Sequence, residues 1–181
     1  YTVPLQVFKD NILSFAVGNV FDTEELCKQL LYMGYERCDT VEGVGQFSLR
    51  GGILDVYSPD ADSPVRIEFF DNEVDSIRYF DVETQVSIEK TEKADVILCR
   101  ETIYTAEERD SIIVSLEKDL KAYAKKENEE ICKRLRADIE NFKEKYYFAS
   151  SDRYINRIYP QITTILDYLN DMVVFIDEPK T

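Results

Sequence analysis

The stretch from Gly45 to Asp81, GQFSLRGGILDVYSPDADSPVRIEFFDNEVDSIRYFD, constrains the fold more than any other part of the chain. Its side chains alternate with a period of two, so one face is available for a core and the other for solvent or a partner. Phe47 and Leu49 point one way, while Gln46, Ser48 and Arg50 point the other. Gly51 and Gly52 interrupt this pattern, which implies a bulge or a tight turn that re-aims Arg50 and starts a second strand over 53–57. Ser58-Pro59 and Ser63-Pro64 bracket a loop. Val65, Ile67 and Phe69 then alternate with Arg66, Glu68 and Phe70, and Asp71-Asn72 forms a two-residue turn into a strand over 73–80. The pattern predicts a twisted, mostly antiparallel sheet with Phe47, Leu49, Val65, Ile67 and Phe69 towards the core and a polar opposite face.

Between Lys28 and Lys90 every basic residue is an arginine: Arg37, Arg50, Arg66 and Arg78. They stand in an acidic setting, since residues 1–100 carry 9 basic against 19 acidic side chains. A guanidinium is a rigid planar fork suited to paired recognition of carboxylates, which a lysine is not. The chain as a whole has a formal charge of -14, which disfavours a nucleic-acid backbone or an anionic membrane as partner and favours a protein. No window approaches the run of about eighteen apolar residues that a membrane span needs, and no leader pattern opens the sequence, so a cytoplasmic protein is expected. Phe70 shares the alternation of Arg66 and Glu68, which makes it the aromatic of this stretch best placed to touch a partner. Arg78 is expected to serve the structure instead.

The residues that would carry catalysis are missing. The chain has no histidine, so Ser-His-Asp and Cys-His arrangements are excluded. Cys27, Cys38, Cys99 and Cys132 are dispersed, with no C-x-x-C pair, and read as reduced, half-buried thiols. No phosphate-binding glycine loop of either common pattern occurs. Neither cofactor, metal nor enzymatic activity is expected of these residues.

Outside the central stretch the period is helical. Asp22 and Glu25 resemble a capping box ahead of Leu26, Leu30, Leu31 and Met33, and Gly34 supplies the stop. Thr105 with Glu108 opens a second helix whose stripe is Ile113, Leu116, Leu120 and Tyr123. The polar run 125–130 separates it from Ile131, Leu135, Ile139, Phe142 and Tyr146, giving either one long helix or a helical hairpin, with the hairpin favoured. A short helical pattern follows at Ile162, Ile165, Leu166 and Leu169. The apolar run Met172 to Ile176 has the look of a buried parallel strand. The fold class is therefore α+β, with an α+β domain over 1–100 and a helical extension over 101–181.

MGYERCDTVE at 33–42, GQFSLRGGILDVYSP at 45–59 and PVRIEFFDNEVDSIRYFDVETQVS at 64–87 together resemble the bacterial transcription-repair coupling factors, in the module they share with the excision-repair helicase subunit UvrB. FIDEPKT at 175–181 is similar to a degenerate helicase Asp-Glu motif, with Pro179 beside Asp177 and Glu178. The resemblance to UvrB itself is weaker, because UvrB would show Arg-Gly-Asp at the kink and Asp-Glu-Ser-His at the end. A fragment of a UvrB-type subunit or of a DNA-dependent ATPase is the alternative. The family resemblance implies a protein-docking module that binds the damage sensor UvrA, with RNA polymerase and DNA contacted only by other parts of the parent; a monomer is expected. By motif position it implies Arg37, Arg50, Arg66 and Glu68 as contacts on one polar sheet face. Ser48 stands where UvrB has a further arginine.

Overall fold

The computed structural model describes residues 1–145, 148, 150–161 and 163–169. Its centre is a six-stranded sheet in the order β2-β3-β4-β5-β6-β7, formed by Glu36–Arg37, Gln46–Arg50, Ile53–Val56, Val65–Phe70, Glu73–Phe80 and Ser87–Thr91. All neighbours are antiparallel except β2 and β3, which run parallel. The α+β class read from the sequence is the one observed.

The two glycines make a tight turn. Arg50 pairs with Ile53 across Gly51-Gly52, and Gly51 takes a φ of +59°, which a side chain resists. Gly52 lies so close to β5 that a Cβ there would meet the Phe69 carbonyl oxygen at 2.8 Å. Asp71-Asn72 closes β5 onto β6 as the alternation predicts, with Phe70 paired to Glu73. Glu68 pairs with Ser76 but Phe69 with Val74, so Asp75 is the extra residue of a bulge.

The sequence pattern did not expose the elements of residues 1–20. A helix α1 (Leu5–Asp10) leads into β1 (Leu13–Ala16), which pairs antiparallel with β8 (Lys93–Val96). The chain then runs along the start of β6. Gly18 donates its N–H to the Val74 carbonyl at 2.8 Å, and Phe21 donates to that of Asn72 at 2.9 Å.

Helix α2 (Thr23–Tyr32) starts at Asp22, whose carboxylate accepts the N–H groups of Glu24 and Glu25 at 2.9 and 3.1 Å. Glu25 turns its own carboxylate to Lys28, so one half of the anticipated capping box forms. Leu26, Leu30 and Met33 are buried, but Leu31 is not: it is 43% exposed, on the flank of the stripe. Position 31 lies one residue beyond the buried Leu30, about 100° further round the helix, and so turns away from the sheet.

Helices α3 (Ala106–Ala124) and α4 (Glu129–Glu144) form the hairpin. Thr105 and Glu108 cap α3 reciprocally, and Asn128 caps α4 by accepting the Ile131 N–H. Phe142 packs against the rings of Tyr104, Phe148 and Tyr154, and one continuous apolar core runs from β1 and the sheet through these helices to Tyr159. Of the short helical pattern expected at Ile162, Ile165, Leu166 and Leu169, the described part forms a single 3-10 turn, Ile165–Tyr168, with Ile165 and Leu166 exposed. Asp167 accepts the Thr164 N–H at 2.7 Å and so closes the turn on itself. Tyr146, Ile162, the run Met172 to Ile176 and the motif ending at Thr181 lie outside the described residues.

All four cysteines are free thiols. Burial pushes up the thiols of Cys27, Cys38 and Cys99, the last to about 11, which keeps them protonated at neutral pH.

Candidate functional site

The side of the sheet away from the main core carries two cross-strand rows. Ser48, Asp55, Arg66, Arg78 and Lys90 lie in register across five strands, and Arg50, Ile53, Glu68 and Ser76 form the next row towards the β3-β4 turn. Residues opposite one another in a ladder project on the same side, so register alone assembles these groups.

Asp55 organises the first row. It is 1% exposed, and Arg66 meets it with two parallel hydrogen bonds, Nε to Oδ1 at 2.7 Å and an Nη to Oδ2 at 2.8 Å. Arg50 adds a longer contact to the same carboxylate at 3.3 Å. The hydrogen bonds to Asp55 raise the basicity of Arg66 above its usual value against the opposing effect of burial. The guanidinium of Arg66 also lies 4.5 Å from the ring centroid of Phe80. In the second row Glu68 accepts from Arg78 and, at 2.8 Å, from the Ser76 hydroxyl. Arg78 Nε is buried with no hydrogen-bond partner among the described residues.

A roof covers one half of this face. The loop after β2 crosses it, where Ser48 donates to the Asp39 carbonyl at 2.9 Å. Gln85 reaches from the far turn to the Val41 carbonyl at 3.3 Å. Val41 and Phe80 are fully buried there, outside the main core. Ser48 is therefore an internal residue, and Arg66, whose side chain is 17% exposed, is largely committed to Asp55.

The open half is the end near the two hairpin turns. Arg50 is 53% exposed in its side chain, Ile53 is 37% exposed and Phe70 is 79% exposed. Ile53 sits between Arg50 and Glu68 in the row, and Phe70 is a diagonal neighbour at the strand end. An exposed aromatic and an isoleucine ringed by two partly paired charged groups form a surface suited to docking a protein, with apolar anchors inside and charge at the rim.

Of the five residues singled out in the sequence, Arg50, Arg66, Glu68 and Phe70 share this side of the sheet, while Arg37 does not. The parallel register of β2 sets Arg37 opposite Phe47, which puts it on the core-side surface, round the sheet edge from Arg50. The expectation of one face for all the arginines is corrected there. Sequence reasoning missed Asp55 and Ile53. Asp55 follows from the alternation of β4 once its register with Arg66 is known, whereas nothing in the sequence sets Ile53 apart from the isoleucines of the core.

Among the described residues no group of three or more His, Cys, Asp or Glu is placed to hold a metal, and no helix is long and apolar enough to cross a membrane.

Residues 13–101 match the UvrB interaction domain family. The chain is 35% identical over 187 residues to the transcription-repair-coupling factor of Staphylococcus haemolyticus, covering 98% of the chain and 16% of that protein. It is 35% identical over 178 residues to the factor of Bacillus subtilis, covering 96% of the chain and 15% of that protein. The chain thus spans about a sixth of the length of the curated relatives it matches. By these matches the chain is a homologue of the region of the transcription-repair-coupling factors that carries the UvrB interaction domain.

Proposed function

We propose that this chain recruits the excision-repair damage sensor UvrA to stalled transcription complexes, by docking the open half of its polar sheet face. The observation that carries the reading is the row Arg50–Ile53–Glu68 with Phe70 beside it, a patch in which apolar anchors and charged groups of both signs are set by strand register. The membership of residues 13–101 in a protein-interaction family supports it. The part played is binding and not chemistry, in a cytoplasmic parent whose contacts with DNA and RNA polymerase lie outside these residues.

Within the site Arg50, Glu68 and Phe70 meet the partner directly, and Arg66 acts mainly by fixing Asp55 and, through it, Arg50. Arg37, which the family resemblance implies as a further contact, lies round the sheet edge from this face. Calorimetric titration of UvrA with this chain and its variants tests the assignment. Arg50→Ala should weaken binding by about 2 kcal/mol or more, as expected when one partner of a desolvated charge pair is removed, and Phe70→Ala by a similar amount. Unchanged affinity in both variants would remove the docking role of this face. Arg66→Ala is a poorer probe, because it also strands a buried carboxylate.

A further inference from the structure

On the core-side surface, beside the sheet edge, an open cleft of about 830 Å³ lies between the end of α2 and β2. Its wall is largely apolar and aromatic, built by Leu31, Tyr32 and Tyr35, and its rim carries Lys28, Arg37 and Arg100 against two carboxylates, Glu36 in the lining and Glu25, which pairs with Lys28. Three cations to two carboxylates is still the reverse of the balance in a chain of charge -14. Arg100 is fixed in place by the fold. It donates to the Leu31 carbonyl at 3.1 Å and lies across Gly34, where a Cβ would meet Arg100 Nε at 2.3 Å.

The cleft is bounded by an open strand edge. Glu36 and Cys38 donate their N–H groups inward, to the Gly45 and Phe47 carbonyls at 2.8 and 2.9 Å. In a parallel pair this alternation turns the N–H and C=O of Arg37 outward, away from β3. An apolar wall, a basic rim and a main-chain donor and acceptor with no partner among the described residues therefore meet in one place.

We propose that this cleft is a second docking site, which takes an extended acidic segment of a partner protein laid against the β2 edge. The segment pairs its main chain with Arg37, seats apolar side chains on Leu31 and Tyr32, and sets its carboxylates against Lys28, Arg37 and Arg100. This is strand addition at a sheet edge, with the rim charges selecting acidic sequences. The site is separate from the polar sheet face and does not depend on that face binding UvrA.

The test is an amide NMR titration of this chain with a synthetic peptide of about eight residues in which Glu alternates with Val. Shifts should concentrate at Gly34, Tyr35, Arg37 and Gly45. Arg37→Glu and Leu31→Asp, each checked for folding in the same spectra, should raise Kd by about tenfold or more, whereas Arg50→Glu should leave it unchanged. A peptide with Lys in place of Glu should not bind. Shifts confined to the sheet face, no shifts at all, an Arg37→Glu variant that binds as well as the parent, or equal binding of the Lys peptide would each overturn the proposal. A result against UvrA docking at Arg50 and Phe70 would leave these outcomes unaffected.

Discussion

Asp55 shows how one residue sets the character of the sheet face. A carboxylate with 1% exposure is tolerated because Arg66 binds it through two parallel bonds and Arg50 adds a third. The exposed end of Arg50 is held in place by a group that no partner can reach. Asp55→Ala leaves the largely buried Arg66 uncompensated and should cost about 3 kcal/mol of stability, measured by urea denaturation. A loss below about 1 kcal/mol would mean that Arg66 finds other partners and that Asp55 does not organise the row. This centre was hard to read in the sequence. ILDVY alternates like any strand, and the meaning of its Asp appears only when β5 is laid beside it in register.

At the scale of elements, the hairpins were legible and the edges were not. RGG and FFDNE carry their turns in the residues themselves, as Gly51 and Asp71, both at a φ near +59°, confirm. The same holds for the α3-α4 hairpin, whose caps at Thr105 and Asn128 bracket a polar turn. By contrast β1 is four residues long and finds its partner β8 some eighty positions away, and β2 is two residues long. Neither offers enough period for a pattern to declare itself, and the roof that buries Val41 and Phe80 is made of loops. The glycine pair permits a sharp test of how the β3-β4 turn aims Arg50. Gly51→Ala meets nothing within 4 Å and should lose only about 1 kcal/mol for its left-handed backbone. Gly52→Ala drives a methyl into the Phe69 backbone, so it should cost more stability than Gly51→Ala in parallel thermal melts. Equal costs would show that the turn moves freely against β5.

For the whole molecule, a single core links the sheet to the helical extension, and the two candidate docking surfaces lie on opposite sides of the sheet. The sequence made the first surface visible because strand alternation separates Arg50 and Phe70 from Phe47 and Ile67. It concealed the second, because Leu31 fits a helical stripe and turns outward only by its angle on α2. In the proposed function the open half of the polar face meets UvrA. Hydrogen–deuterium exchange of this chain with and without UvrA reads this contact, since amides under a docked partner exchange more slowly. Docking there should add protection over residues 50–55 and 66–73 and leave α3 and α4 unchanged. Protection confined to α3 and α4, or none on the sheet under saturating UvrA, would contradict it.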